Sequence, residues 1–413
     1  MIKHFFEPRD NYRKRLSDIG FYHYDLPSGE EQEDYWKEGN CYIFSESQID
    51  LIEETTQELY NRCLDMVAEI VKSGDYPDYF CLDDLKKATI EQSWNRGDKS
   101  LYGRFDLVYD YKTGSIKMLE LNGDTPVSIL EASVAQWDYI QEAPDIPDPL
   151  RIQFNMLHEN LIETWQRLYQ RKTNIHFTYE DSFRSEDFCN LAYLMETAHQ
   201  AGMNVKEILL KDIGVYTEGN KSGFVDLENV DIKALFKLYP WEWLFESNNR
   251  DHIKNSMVDW LEPPWKALLS NKGCLVKLHE MFPNHPNIVP AFASQDSIPK
   301  DSGIYVKKAI HGREGANIFF YNSSNYTETL GQGSVIVPEY HKWGYIYQEK
   351  IEMPVYDGFR PILGSWIIGD KASGMSVRED KNLVTGDDSF FASHIFIPHE
   401  HHEEYKHLLG EAV

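Results

Sequence analysis

Arg104-Phe105-Asp106-Leu107-Val108-Tyr109, Lys112-Thr113-Gly114 and Met118-Leu119-Glu120-Leu121-Asn122-Gly123-Asp124 read together as one β-hairpin. Strand side chains alternate faces with period 2. Arg104, Asp106, Glu120 and Asn122 then share one face. Phe105, Leu107 and Tyr109 share the other, with Leu119 and Leu121 opposite them. Lys112-Thr113-Gly114 suits a three-residue loop with Gly in the left-handed conformation. That loop pairs Tyr111 with Ser115, hence Asp106 with Glu120 and Arg104 with Asn122. Like charges directly opposite on a sheet repel. A hard cation between them resolves the conflict, and Mg²⁺ prefers oxygen ligands that it shares with substrate phosphates.

The rest of the chain bounds the setting. At 413 residues it is too long for one small core, and two or three lobes are expected. Its 42% hydrophobic and 14% aromatic content predicts a globular protein. A net charge of −26 argues against a general nucleic-acid binder and is compatible with a cationic ligand such as a polyamine. The five cysteines (Cys41, Cys63, Cys81, Cys189, Cys274) are scattered without a CxxC, which predicts free thiols in a reducing compartment. With neither a signal-peptide run nor a membrane-length apolar stretch, a cytoplasmic protein with no membrane partner is expected.

Residues 1–90 read as largely helical. Ser45-Glu46-Ser47-Gln48 caps a long amphipathic helix from Ile49 to about Lys72. Pro126 ends the hairpin strand, and Ile129–Gln141 reads as a helix. Between 151 and 250, helices Phe154–Leu168 and Glu186–Ala201 alternate with strands at 174–178, 205–210 and 230–238, a βαβ rhythm that predicts a small parallel sheet. Trp265–Phe282 reads as one helix. Strands follow at 304–309, 318–321, 335–338, 344–351, 361–368 and 371–378, and their Gly-bearing turns suggest antiparallel sheets.

Four further stretches could carry chemistry. Tyr305-Val-Lys-Lys308-Ala-Ile-His-Gly312-Arg313-Glu-Gly315-Ala-Asn317 brings a lysine pair into a loop with two glycines and an arginine. Backbone N–H groups of such a loop can cradle phosphate oxygens, with Lys as a point charge and Arg as a bidentate fork. No Walker A sequence is present, and an ordinary surface hairpin is the plain alternative. Lys272 precedes Gly273 in a helical stretch, where a solvated lysine is commonplace. Gln348, on an apolar strand, could read an adenine edge. Arg378 ends a late strand as a second phosphate clamp. Ordinary sheet sequence is the alternative for the last two. The histidine-rich tail at 399–404 reads as solvated rather than as a metal site.

The ordered set of motifs resembles the synthetase part of the glutathionylspermidine synthase family, an ATP-grasp group. The pieces are GRFD (103–106), LELNGDTP (119–126), Glu186-Asp187 followed by YLMETAHQAG, YPWEW (239–243), PPWKALLSNKG (263–273), VKKAIHGREGAN (306–317), IYQ (346–348), and GSW (364–366) with GMSVRED (374–380). The resemblance implies a mixed α/β (α+β) synthetase with antiparallel sheets in its nucleotide-binding lobes and a small α/β substrate lobe. The expected segments are 1–145 with the helical region and metal hairpin, 146–255 as the substrate lobe, and 256–413 as the nucleotide-binding lobe.

The resemblance also implies roles. Asp106, Glu120 and Asn122 match Mg²⁺ ligands. Arg104 matches an arginine beside the transferred phosphoryl group, Arg313 the residue of a lid loop that closes over the reacting phosphate, and Arg378 another arginine at the active site. Lys272 and Lys308 match nucleotide-phosphate lysines, with Gly312, Gly315 and Gln348 beside them. Thr125 and Ser128 fall where larger members hold a peptide substrate, and Glu186 and Asp187 where an acidic pair meets a polyamine. The expected activity is ATP- and Mg²⁺-dependent ligation of a small-molecule or peptide carboxylate to an amine through an acylphosphate. The alternative is a non-catalytic nucleotide- or polyamine-binding protein on the same fold. Larger members carry an amidase domain that this chain lacks, so product hydrolysis is not expected. Pro126, Val127 and the Glu-Asp order of the acid pair depart from the family pattern, which bears on glutathione and spermidine choice. The motifs leave assembly as a homodimer open.

Overall fold

The computed structural model describes residues 1–25, 34–180, 185–386 and 389–410. Strands Tyr102–Asp110 and Ser115–Asn122 form the expected hairpin, with Arg104 opposite Asn122 and Asp106 opposite Glu120. The route to that register differs from the sequence reading. The loop is one residue longer, because Asp110 rather than Tyr111 pairs with Ser115, while Gly114 takes the left-handed conformation at φ 69°. A bulge between the Asp106 and Leu107 levels leaves Leu119 without a residue opposite and restores the pairing. One extra residue also reverses the facing of a strand. Ile116 and Met118 therefore enter the core with Tyr109 and Leu107, while Glu120 and Asn122 face the other way. Leu119, expected in the apolar face, lies instead on a cavity wall.

The hairpin forms one edge of a seven-stranded sheet in the order Ile2–Phe5, Trp36–Ser45, Phe390–Ile397, Lys371–Asp380, Arg360–Ile368, Tyr102–Asp110, Ser115–Asn122. The helical reading of residues 1–90 is corrected here, since Ile2–Phe5 and Trp36–Ser45 are strands. Phe390–Ile397, which was not anticipated, is buried along its whole length and runs parallel to Trp36–Ser45. Strands covered on both faces lose the alternation that reveals a half-exposed one. The helix Glu46–Ser73 lies on the sheet's apolar side, where Thr56 Oγ1 meets Ser365 Oγ at 2.7 Å. Its start is the predicted capping box, with Ser45 Oγ accepting from Gln48 N–H and Gln48 Oε1 accepting from Ser45 N–H.

A second sheet is parallel throughout, in the order Asp259–Leu261, Ala234–Leu238, Asn174–Tyr179, Asn204–Leu209, and carries the helices Leu157–Leu168 and Ser185–Gln200. A third is antiparallel, in the order Ala291–Phe292, Tyr345–Glu349, Ile304–Ala309, Ile318–Asn322, Thr327–Leu330. The stretch 335–338, expected as a strand, is a loop entering a short 3-10 turn at Pro338–Trp343. There the Asn317 side chain bonds both the N–H and the C=O of Val337, at 2.6 and 2.9 Å, in place of a ladder partner. The expected helix at 265–282 is broken before Gly273–Met281. Asn271 turns extended, accepts from Gly273 N–H at 2.8 Å and donates to Phe80 O at 2.9 Å. All five cysteines are free thiols. Among the described residues no helix is long and apolar enough to cross a membrane.

A buried ion pair is among the contacts that join the first two sheets. Asp124, just past the hairpin, accepts from Lys237 Nζ at 2.5 Å and from Trp241 N–H at 2.8 Å, and both charged side chains are 0% exposed. Removing one member of a buried pair strands the other charge. Lys237→Met is expected to cost about 3–5 kcal/mol. Lys237→Met paired with Asp124→Leu should recover part of that loss, as measured by urea unfolding.

Candidate active site

The three sheets enclose a cavity of about 590 Å³. It opens beyond the C-terminal ends of two parallel strands, where Glu180 follows Tyr179 and Tyr239 follows Leu238. Such ends are the usual ligand-binding side of a parallel sheet. Of the residues expected at a site, Arg104, Asp106, Glu120, Asn122, Thr125, Glu186, Asp187, Lys272, Lys308, Gly312, Arg313, Gly315, Gln348 and Arg378 all line this one cavity. Ser128 does not. It is buried with φ 70°, and its hydroxyl is 3.3 Å from that of Tyr35.

The hairpin supplies two of the cavity's acids, Asp106 and Glu120. Asp106 Oδ1 accepts from Arg104 Nε at 2.8 Å, and its Oδ2 from Arg378 Nη2 at 3.1 Å. Arg104 is fixed further by Val127 O at 2.7 Å, with its guanidinium 5.6 Å from the Trp366 ring. Gly364, opposite Asp106, makes room for this arrangement, because a Cβ there would lie 3.0 Å from Arg104 Cδ and 2.5 Å from Ser376 Oγ. Glu120 Oε2 meets Lys272 Nζ at 3.1 Å. Burial opposes its ionisation, but Lys272 and Lys308 outweigh burial and hold Glu120 down at about 2. The Asn122 amide nitrogen is buried without a hydrogen-bond partner. Two carboxylates and an amide on one face form a hard-oxygen donor set that fits Mg²⁺.

The lysines arrive from different elements. The helix break at Asn271 turns Lys272 inward, where Nζ also donates to Gly312 O at 2.6 Å. Lys308, on the central strand of the third sheet, donates to Gln348 Oε1 at 2.6 Å and to Leu119 O at 3.1 Å. Burial pulls its pKa down to about 8 against the attraction of Glu120. Gln348 lines the cavity, yet its amide is occupied on both sides, by Lys308 and by Met118 O at 3.1 Å. The loop at 311–317 closes over this region. Gly315 (φ 68°) lies so close to residue 385 that a Cβ would be 2.7 Å from Thr385 O. Arg313 reaches across to Thr125 Oγ1 at 3.1 Å and Glu242 Oε1 at 2.5 Å.

The end at the parallel strands is acidic, with Glu180, Glu186 and Asp187 on the wall together with Tyr239 and Trp243. Behind Glu186 lie residues that the sequence reading did not single out. His23 Nε2 meets Glu131 Oε1 at 2.8 Å, and ligating atoms of His23, Glu131 and Glu186 fall within 4.8 Å of one another. Burial works against the imidazolium, but Glu131 prevails and raises His23 to about 10. Glu242 and Asp124 were also missed as site supports, although both lie inside quoted motifs. A fully buried carboxylate such as Glu131, in the apolar run at 129–135, was the available signal for the first group.

Hairpin, parallel-sheet lobe and antiparallel sheet together define an ATP-grasp-type synthetase fold. A solved glutathione synthetase-like effector from Globodera pallida shares it, with a TM-score of 0.55 at 12% identity, over 93% of this chain and 96% of that one. The family model described as glutathionylspermidine synthase preATP-grasp matches residues 3–397, and the chain belongs to that family. It is 43% identical over 395 residues to a Haemophilus influenzae protein named "Putative acid--amine ligase", covering 95% of this chain and 98% of that protein. It is 26% identical over 362 residues to the trypanothione synthetase of Crithidia fasciculata, covering 81% of this chain and 53% of that protein, so it spans about half that relative's length.

The lowered pKa of Glu120 fixes a sign. Its contribution to stability is present above the unfolded value of 4.5 and is lost as pH falls towards about 2. Glu120→Gln is therefore expected to flatten the acid side of the stability curve over that window, read as melting temperature against pH.

Proposed function

We propose that the chain is an ATP- and Mg²⁺-dependent carboxylate–amine ligase of the glutathionylspermidine synthase type. One observation carries the reading, namely the polarity of the cavity. In a chain of net charge −26, Arg104, Lys272, Lys308, Arg313 and Arg378 cluster about Asp106, Glu120 and Glu242, while Glu314, Glu349, Lys350, Glu352 and Arg360 line the rest of that wall. That surplus of cations suits a triphosphate, while the acidic end with Glu180, Glu186 and Asp187 suits a cationic amine.

The chemistry follows from positioning and charge neutralisation. The substrate carboxylate attacks the γ-phosphoryl group of ATP, giving an acylphosphate and ADP. The unprotonated amine then attacks the acyl carbon, the amide bond forms, and inorganic phosphate leaves. Lys272 and Lys308 hold the phosphates of ATP. Arg104, Arg313 and Arg378 face the group in transfer and offset its negative charge. Asp106, Glu120 and Asn122 would hold Mg²⁺, which when bound neutralises and aligns the triphosphate. Thr125 stands where the acid enters, and Glu186 and Asp187 draw the amine as an ammonium ion before it loses its proton. The loop at 311–317 excludes water, which would otherwise hydrolyse the acylphosphate. The name of the Haemophilus influenzae relative supports an acid and an amine as substrates.

The test is phosphate release from Mg·ATP across a panel of acids and amines, glutathione and spermidine included. Release that requires one acid–amine pair is the expected outcome. Tight ATP binding with no release for any pair would instead support a binding protein. Asp106→Ala is expected to lower release by about 100-fold or more while the melting transition persists. Release at the wild-type rate would remove Asp106 from the metal site.

A further inference from the structure

The lid arginine does not rest on the sheet that carries the lid. Arg313 crosses the cavity to Glu242, which lies in the short helix Trp241–Leu244 just after the parallel strand Ala234–Leu238. Glu242 is 8% exposed, and burial disfavours its charge, yet Arg313 and then His311 keep it ionised with a lowered pKa. Its helix is anchored independently of the lid. Trp241 N–H donates to Asp124 Oδ2 at 2.8 Å, and the Trp241 indole N–H donates to Glu262 O at 3.0 Å. The Arg313 guanidinium lies 5.8 Å from the Trp243 ring, and its Nε is buried without a partner.

We propose that Glu242 is the positioning residue for the lid arginine. Through Nη2 it aims Arg313 over the cavity, and it latches the loop at 311–317 to the lobe that also carries Tyr239 and Trp243 on the acidic, acceptor end. The ligase reading enters only in giving Arg313 its task; the latch itself is an ion pair between two lobes. Closure of the lid is thereby referred to the acceptor wall rather than to the nucleotide sheet. A fixed, buried counter-anion suits this task because a guanidinium held in one orientation needs no reorganisation when charge develops beside it. Glu242 touches no reacting atom.

Hydrogen exchange on the full chain without nucleotide tests the latch directly. Glu242→Gln keeps the shape and removes the charge. It is expected to speed exchange across residues 311–317 roughly tenfold or more, since a buried charge pair is lost. Arg313→Gln, made from the lid side, should do the same and serves if Glu242→Gln does not fold. The double variant should exchange no faster than either single variant. Unchanged lid exchange in a folded Glu242→Gln protein, or additive effects in the double variant, would overturn the latch. With Mg·ATP and the acid–amine pair that supports release in the wild-type protein, Glu242→Gln should lower the saturated rate of phosphate release roughly tenfold and leave half-saturation by ATP within about twofold. A rise in half-saturation alone would overturn the positioning role. If the wild-type protein fails to bind Mg·ATP at all, the ligase reading falls while the exchange result stands on its own.

Discussion

The Asp124 carboxylate, clasped between the Lys237 ammonium and the Trp241 N–H, ties the hairpin to the parallel sheet. Burying two charges costs several kcal/mol per ion before their attraction is counted. Burial pushes the Asp124 pKa up and that of Lys237 down, against the pull of each on the other. The arrangement is tolerable because the polar atoms are matched. One carboxylate oxygen takes Lys237, the other takes Trp241 N–H, and Lys237 also donates to Tyr239 O at 3.0 Å. Its value lies in geometry more than in net stability. A slipped hairpin or a rotated parallel sheet would leave a buried charge alone, so one placement of Asp106 and Glu120 against the strand ends is strongly preferred.

From that placement the cavity acquires its polarity. The strand ends bring carboxylates to one side, and the helix break at Asn271 and the central strand of the third sheet bring lysines to the middle. Neither lysine is conspicuous in its own element. Lys308 becomes special because it is buried between Gln348 and the bulged Leu119 carbonyl, which pulls its pKa down to about 8. The same bulge that faces Glu120 outward supplies that carbonyl. The outward carboxylate of Glu120 and the carbonyl that holds Lys308 are thus two products of one inserted residue.

The legible parts of this site were those written in local pattern. The alternation of Arg104 and Asp106, the left-handed Gly114 and the capping box at Ser45 can each be read within a few residues, and each formed, although the turn at Gly114 is one residue longer than read. The bulge at Leu119 was not legible, because a period-2 reading admits no extra residue and an apolar leucine gives no sign of leaving the core face. The strands Trp36–Ser45 and Phe390–Ile397 were missed because burial on both faces removes the alternation that marks a strand. The break at Asn271 and the loop at 335–337 share another cause. In both, a single Asn side chain takes over backbone partners, which overrides the helical or extended pattern of its neighbours. The partners of Arg313 could not be read either, since Glu242 is 71 residues away in sequence.

Each cation in the cavity is already engaged. Arg104 and Arg378 share Asp106, Lys272 takes Glu120 and the Gly312 carbonyl, and Arg313 takes Glu242. The cost of removing these groups from water was therefore met in folding. On the ligase reading, substrate binding is an exchange of partners. As Asp106 and Glu120 turn to a divalent cation, the arginines and Lys272 are released towards phosphate without further desolvation. Arg313 differs from the others because its counter-anion belongs to no metal face. It keeps Glu242 while Arg104, Arg378 and Lys272 exchange, so its orientation is the same before and after phosphates arrive. A lid closing on a charge that does not move can exclude water without first giving up a hydrogen bond, and this asymmetry separates the arginine that steers closure from those that receive the phosphate.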